Sequence, residues 1–214
     1  MPATYGLLAL LLVIFLAEAG ISGQPSMTRL VAMGAQVNGY VLFGGQWWRL
    51  LTSMFLHFSW THILLNGWSL YVMGQLVEPA IGTRNFLFVY VLGGIFGALL
   101  SLALYPLNVV MVGASGAIFG LLGATAVIAL HAGGPVRAYL LRWLGVILVL
   151  NLGFDFTLPG IGVWDHIGGF IGGFLAAYVV YAAARGRTML TYAFGGAYVV
   201  LAAFLVTYAQ RMTG

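Results

Sequence analysis

Along the chain, apolar positions gather into solid runs rather than an alternating pattern, and the runs are separated by Gly, Pro or Arg. Seven runs fall at about 4–20, 60–78, 85–105, 114–131, 136–154, 163–184 and 189–209, each near the roughly 20 residues a helix needs to cross a bilayer. A β-barrel would show short alternating strands instead. The pattern therefore predicts an all-α, polytopic membrane protein, with residues 1–214 forming a single transmembrane domain. The one long connector, about 21–59, starts polar and glycine-rich and ends in Trp47-Trp48-Arg49-Leu50-Leu51. Paired Trp beside Arg suits the headgroup boundary, so this loop is expected to lie partly in the interface. The first run closes on Ala17-Glu18-Ala19, which is similar to a signal-peptidase site. No Lys or Arg precedes its apolar core, so it is expected to remain as the first helix.

Composition removes other classes. Of 214 residues, 62% are hydrophobic and 6% charged, whereas a soluble domain carries about 25% charge. The net charge of +4 comes from eight arginines and no lysine, set against four acids. They are scattered rather than clustered along a face that could track phosphates, so no nucleic-acid partner is expected and the lipid bilayer is. The absence of Cys excludes disulfides, thiolate metal sites and a Cys nucleophile. With the N-terminus cytoplasmic, the cytoplasmic connectors hold Arg84, Arg137, Arg142, Arg185 and Arg187. The outer ones hold Arg29, Arg49 and Arg211, with Asp155 and Asp165. That positive-inside bias predicts a cytoplasmic N-terminus and an outer C-terminus.

Polar side chains inside hydrocarbon are costly enough to need a reason. His57, His62 and Asn66 lie at or just before the start of the second predicted helix, Ser115 opens the fourth and His166 opens the sixth. Even-numbered helices run in the same direction, so all five belong to one level of the outer leaflet. In Gly113-Ala114-Ser115-Gly116 a hydroxyl sits at a helix N-terminus, where free N–H groups and the helix dipole favour developing negative charge. Two readings of Ser115 stay open on that basis. It is either one more small residue in a packing face with Gly116 and Gly120, or an acyl-transfer nucleophile. His166 is followed by Gly169 and Gly173, a second close-approach face. If the two glycine faces meet, a nucleophile and a general base come together; otherwise His166 is a satisfied polar residue at a helix start.

His62 and Asn66 are four apart and share a helical face, and both can donate to an oxyanion. A zinc site built on His57, His62 and His166 competes with this reading, but there is no HExxH and no carboxylate beside His57 or His62, so no metal is expected. His131, at the far end of the fourth helix, reads as interfacial. Glu18 and Glu78, near helix ends, are expected to bond to neighbouring loops rather than relay protons. Asp165, in the first turn of the sixth helix, is expected to cap that helix rather than complete a catalytic triad.

Taken in order, Trp48-Arg49, the run His57, His62 and Asn66 with four and three residues between them, Gly113-Ala114-Ser115-Gly116, and His166 with Gly169 and Gly173 resemble the rhomboid intramembrane serine proteases. The resemblance covers about residues 5–184 and implies a six-helix core, with a seventh helix at about 189–209. It implies a dyad of Ser115 and His166, an oxyanion hole of His62, Asn66 and the Ser115 N–H, and structural roles for His57, Trp48 and Arg49. The implied substrates are transmembrane segments of other proteins, cut near their outer end without a cofactor. Two positions depart from the family's pattern. Phe119 stands where Tyr is frequent, and Asp165 stands where a small residue usually precedes the His. An inactive membrane-protein chaperone on the same fold would usually have lost Ser115 or His166, and both are present. A small transporter would more often show broken helices in corresponding halves.

Overall fold

The computed structural model describes residues 1–20, 23–157 and 162–213. Helix α1 (Pro2–Ala19) leads into a connector built from α2 (Met27–Met33), strand β1 (Gln36–Val37), α3 (Asn38–Leu42), α4 (Arg49–Thr52) and a 3-10 turn (Ser53–Phe55). Then come α5 (Trp60–Ile81), α6 (Thr83–Leu104), strand β2 (Val110–Met111), α7 (Ser115–His131), α8 (Gly134–Thr157), α9 (Val163–Ala184) and α10 (Thr188–Thr213). The seven long helices occupy the seven apolar runs. Among the described residues, α1, α6, α9 and α10 are long and apolar enough to cross a membrane, and α7 is a shorter apolar helix. Helix α8 runs on to Thr157, so Asp155, expected in a connector, falls within it; its side chain lies outside what is described.

Helices α6, α7 and α9 pack on one another through glycine. Lipid tails are as apolar as leucine, so helix association here draws on close van der Waals packing rather than on escape from water. A Cβ added at Gly169 would fall on the carbonyl oxygen of Gly116, and one at Gly173 on that of Gly120. The two glycine faces expected from the sequence therefore do meet. Helix α6 joins them through Gly93, whose Cα lies 2.9 Å from where a Cβ of Gly120 would stand. Phe15, Leu70, Phe86 and Leu121 fill the core around this contact. Helix α10 lies outside, held where the Tyr198 hydroxyl donates to the Leu92 carbonyl at 2.9 Å.

The two intramembrane acids tie helix ends together: Glu18 bonds to a connector, as expected, whereas Glu78 bonds to the ends of neighbouring helices rather than to a loop. Glu18 accepts the His57 backbone N–H at 3.0 Å. Glu78 accepts the N–H groups of Ala3 and Thr4 and the hydroxyls of Thr4 and Thr83, joining α1, α5 and α6. The four bonds to Glu78 offset part of the cost of burying that carboxylate.

The connector is fastened by polar side chains. Arg49 is only 6% exposed. Its guanidinium donates to the carbonyls of Val31 and Ala35 at 2.8 and 2.7 Å and to Gln46 Oε1 at 2.6 Å. Trp48 lies beside it, with the guanidinium carbon 4.7 Å from the ring. Gln36 Nε2 donates to Asn38 Oδ1 and to the Ala98 carbonyl. Asn38 Nδ2 in turn donates to carbonyls at the end of α6, including that of Tyr105 at 3.0 Å.

Candidate active site

The chain entering α7 is fixed from the connector side. Strand β2 pairs antiparallel with β1, Gln36 opposite Met111 and Val37 opposite Val110. Two residues on, the Gly113 N–H donates to the Ser53 carbonyl at 3.0 Å. Gly113 adopts φ +130°, which only glycine holds without strain. Ala114 is the N-cap and Ser115 the first residue of α7, so the Ser115 hydroxyl stands among N–H groups that have no intrahelical acceptor.

Opposite this turn, α5 begins where the Ser59 hydroxyl accepts the His62 N–H at 3.2 Å. That cap sets the rotation of α5, and His62 and Asn66 then point at Gly113. A Cβ on Gly113 would lie 2.7 Å from His62 Nε2 and 3.5 Å from Asn66 Nδ2. Among the described residues, Asn66 Nδ2 is buried without a hydrogen-bond partner, and so is His62 Nδ1. A buried N–H without an acceptor costs about 1–3 kcal/mol. The tautomer that carries its proton on Nε2 leaves no N–H stranded at Nδ1 and aims a donor at Gly113. The His62 ring is held by Phe58, with centroids 4.4 Å apart, and by His57 at 4.9 Å, edge to face. His57 is fully buried in the loop before α5. Burial first, and then the neighbouring His62, push its pKa down to about 3, so the ring packs as a neutral group.

From the other side, His166 is 5% exposed in the first turn of α9. Its ring stacks on Phe119, one turn along α7 from Ser115, with centroids 4.2 Å apart and planes 5° from parallel. Of the close-contact pair, Gly116 follows Ser115 directly and Gly169 stands about one turn after His166. The dyad candidates therefore stand on facing helices at one level.

Asp165 stands in the first turn of α9, whose N-cap residue is Gly162. Its carboxylate faces the neighbouring helices: a Cβ on Gly116 would fall on its oxygens, and one on Gly97 would lie 2.7 Å from Oδ1. Glycine at both places leaves room for the carboxylate, and the N-terminus of α7 favours its charge. A polar cavity of about 10 Å³, lined by Gln36, Ser53, Gly113, Gly116 and Asp165, lies alongside and is large enough for one water.

Among the described residues no three His, Cys, Asp or Glu side chains gather as a metal-binding group. The sequence reading missed Ser59, Gln36, Ser53 and the α6 glycines. Of these only Gly93 and Gly97, four apart in an apolar run, carried a visible signal.

A family model described as the Rhomboid domain matches residues 44–183. The chain is 40% identical over 179 residues to Rhomboid protease GluP of Bacillus subtilis, an alignment covering 81% of this chain and 34% of GluP. It is 34% identical to YdcA of the same organism, over 67% of this chain and 73% of that protein. It is 36% identical to RHOMBOID-like protein 7 of Arabidopsis thaliana, over 73% of this chain and 50% of that one. The chain thus spans about a third of GluP and half of the Arabidopsis protein. A polytopic helical fold carrying this polar cluster at one level is that of the rhomboids, and the chain belongs to the rhomboid family. It is an integral, multi-pass membrane protein.

Proposed function

We propose that the chain is a serine endopeptidase that cuts transmembrane segments of other membrane proteins, with Ser115 as nucleophile and His166 as general base. The convergence of His62 Nε2 and the unpartnered Asn66 Nδ2 on the turn that presents Ser115 carries this reading. A buried amide donor without an acceptor is costly, and an oxyanion forming beside Ser115 would supply the acceptor.

In this mechanism Ser115 Oγ attacks the scissile carbonyl carbon while its proton passes to His166. The carbonyl oxygen becomes an oxyanion and accepts from His62, Asn66 and the Ser115 N–H. The intermediate collapses as the C–N bond breaks, and His166 returns the proton to the leaving amine. A water, deprotonated by His166, then attacks the acyl carbon; as the C–Oγ bond breaks, His166 returns that proton to Ser115 Oγ and the acid product leaves. Stacking on Phe119 keeps the imidazole in one plane through both transfers. The arginine distribution supports an orientation with this centre toward the outer side, the N-terminus cytoplasmic and the C-terminus outside.

The test is cleavage of a reporter transmembrane substrate in liposomes by the wild-type protein and by Ser115→Ala and His166→Ala. Both variants should fold, insert and fall to background. Near-normal turnover in either removes the dyad.

A further inference from the structure

At the membrane face opposite Ser115, the last turns of α5, α7 and α9 and the first turn of α6 line a half-open cavity of about 360 Å³, within the range of small-ligand pockets. Its inner wall is small and apolar, formed by Ala124, Val127, Ala177 and Val180. Its mouth is polar, formed by Asn85, His131 and Arg185. The mouth is organised around Tyr181. The His131 ring stacks on it with centroids 3.6 Å apart, and the Arg185 guanidinium carbon lies 4.0 Å from the same ring's centroid. His131 Nδ1 lies 2.9 Å from the Val127 carbonyl and donates to it, which fixes the ring. Asn85 Nδ2 donates to the Ile81 carbonyl at 2.7 Å.

Charge at this level is one-sided. Arg187 lies 5.9 Å from the Tyr181 ring centroid, and Arg84 stands one residue from Asn85. The one acid near this end among the described residues, Glu78, is engaged by Ala3, Thr4 and Thr83. Carbonyl ends of α7 and α9 add partial negative charge, each worth about half an elementary charge, which the guanidinium groups outweigh. A cationic mouth over an apolar shaft, at a helix-end level, matches an amphiphile with an anionic head.

We infer that this cavity binds an anionic phospholipid, its phosphate at Arg185 beside His131 and Asn85, and one acyl chain along the wall of Ala124, Val127, Ala177 and Val180. A soluble phosphate would find partners at the mouth but none along that wall, so a lipid uses both halves of the cavity. Basic pockets between transmembrane helices are suited to such headgroups. The site is separate from the Ser115 centre and stands whether or not the protein cleaves peptides.

The test is native mass spectrometry of the full chain in detergent with equimolar phosphatidylglycerol and phosphatidylcholine of matched acyl chains. Wild type should retain phosphatidylglycerol over phosphatidylcholine by about fivefold or more. Arg185→Gln, an exposed change that leaves the core alone, should bring the ratio close to one, while Arg185→Lys should keep most of it. Ala177→Leu, which fills the shaft without touching the mouth, should lower retention of phosphatidylglycerol. Millimolar inorganic phosphate should fail to displace the lipid. Equal retention of the two lipids by wild type, or an unchanged ratio in Arg185→Gln, overturns the proposal. Displacement by phosphate alone would assign the mouth to a soluble anion and overturn it as well.

Discussion

Phe119 and His166 lie ring on ring, 4.2 Å between centroids and 5° from parallel, joining α7 to α9 one turn below Ser115. The ring, not a hydroxyl, makes this contact. Phe119→Tyr should therefore leave turnover within a few-fold of wild type. Phe119→Ala frees the imidazole and should lower kcat by roughly 10- to 100-fold, the scale on which misplacing a reacting group by about 1 Å is felt. Steady-state kinetics on a reporter substrate decide the matter. Equal rates for Phe119→Ala and wild type would remove the ring from any positioning role.

Gly169 meets the Gly116 carbonyl so closely that no side chain fits between them. Overpacking costs typically about 1–3 kcal/mol where neighbours can shift, and here the obstacle is backbone. Gly169→Ala should lower the thermal midpoint in detergent and separate Ser115 from His166, abolishing cleavage. Gly196→Ala, on α10 where a Cβ meets open space, is the control and should change neither.

Asn66 Nδ2 has no partner among the described residues and points at Gly113. Losing one oxyanion donor costs about 100- to 1,000-fold in kcat. Asn66→Ala should show that loss in kcat with little change in KM, and should stay above Ser115→Ala because His62 and the backbone N–H remain. A raised KM at unchanged kcat would move Asn66 to substrate binding.

Asp165 adjoins His166 in sequence, yet its carboxylate stands against Gly116 and Gly97. Removing the charge of a true triad acid costs about 10⁴-fold. Asp165→Asn keeps the size and most hydrogen-bonding capacity of the group, so turnover should remain within about tenfold of wild type, with a lower thermal midpoint as the main effect. A loss above about a thousandfold in folded protein would make Asp165 a third member of the catalytic group.

Asp165 also marks how far the sequence reaches. Its place in a first helical turn was readable, because Asp near a helix start is a local signal. The direction of its carboxylate was not, because that depends on two glycines about 50 to 70 positions away in the chain, brought near by packing. The seven helices and the glycine faces of Gly116 with Gly120 and Gly169 with Gly173 were readable for the same local reason: spacing along a single helix defines each face. That the two faces meet was only a condition, because it depends on how the helices pack. Strand β1 and its partner β2 hold two residues apiece and pair across a long gap, so neither period nor composition announces them. The bonds that fasten the connector, from Gln36 and Asn38 to the end of α6 and from the Gly113 N–H to the Ser53 carbonyl, were hidden likewise, each residue being unremarkable until its partner is known.

The central claim, an activated Ser115 served by His166, is tested most directly by treating the membrane-embedded protein with a fluorophosphonate and mapping the adduct by peptide mass spectrometry. The expected result is a single adduct on the peptide containing Ser115, lost in Ser115→Ala and strongly slowed in His166→Ala. No adduct in folded wild-type protein, or an adduct at another serine that persists in Ser115→Ala, would contradict it.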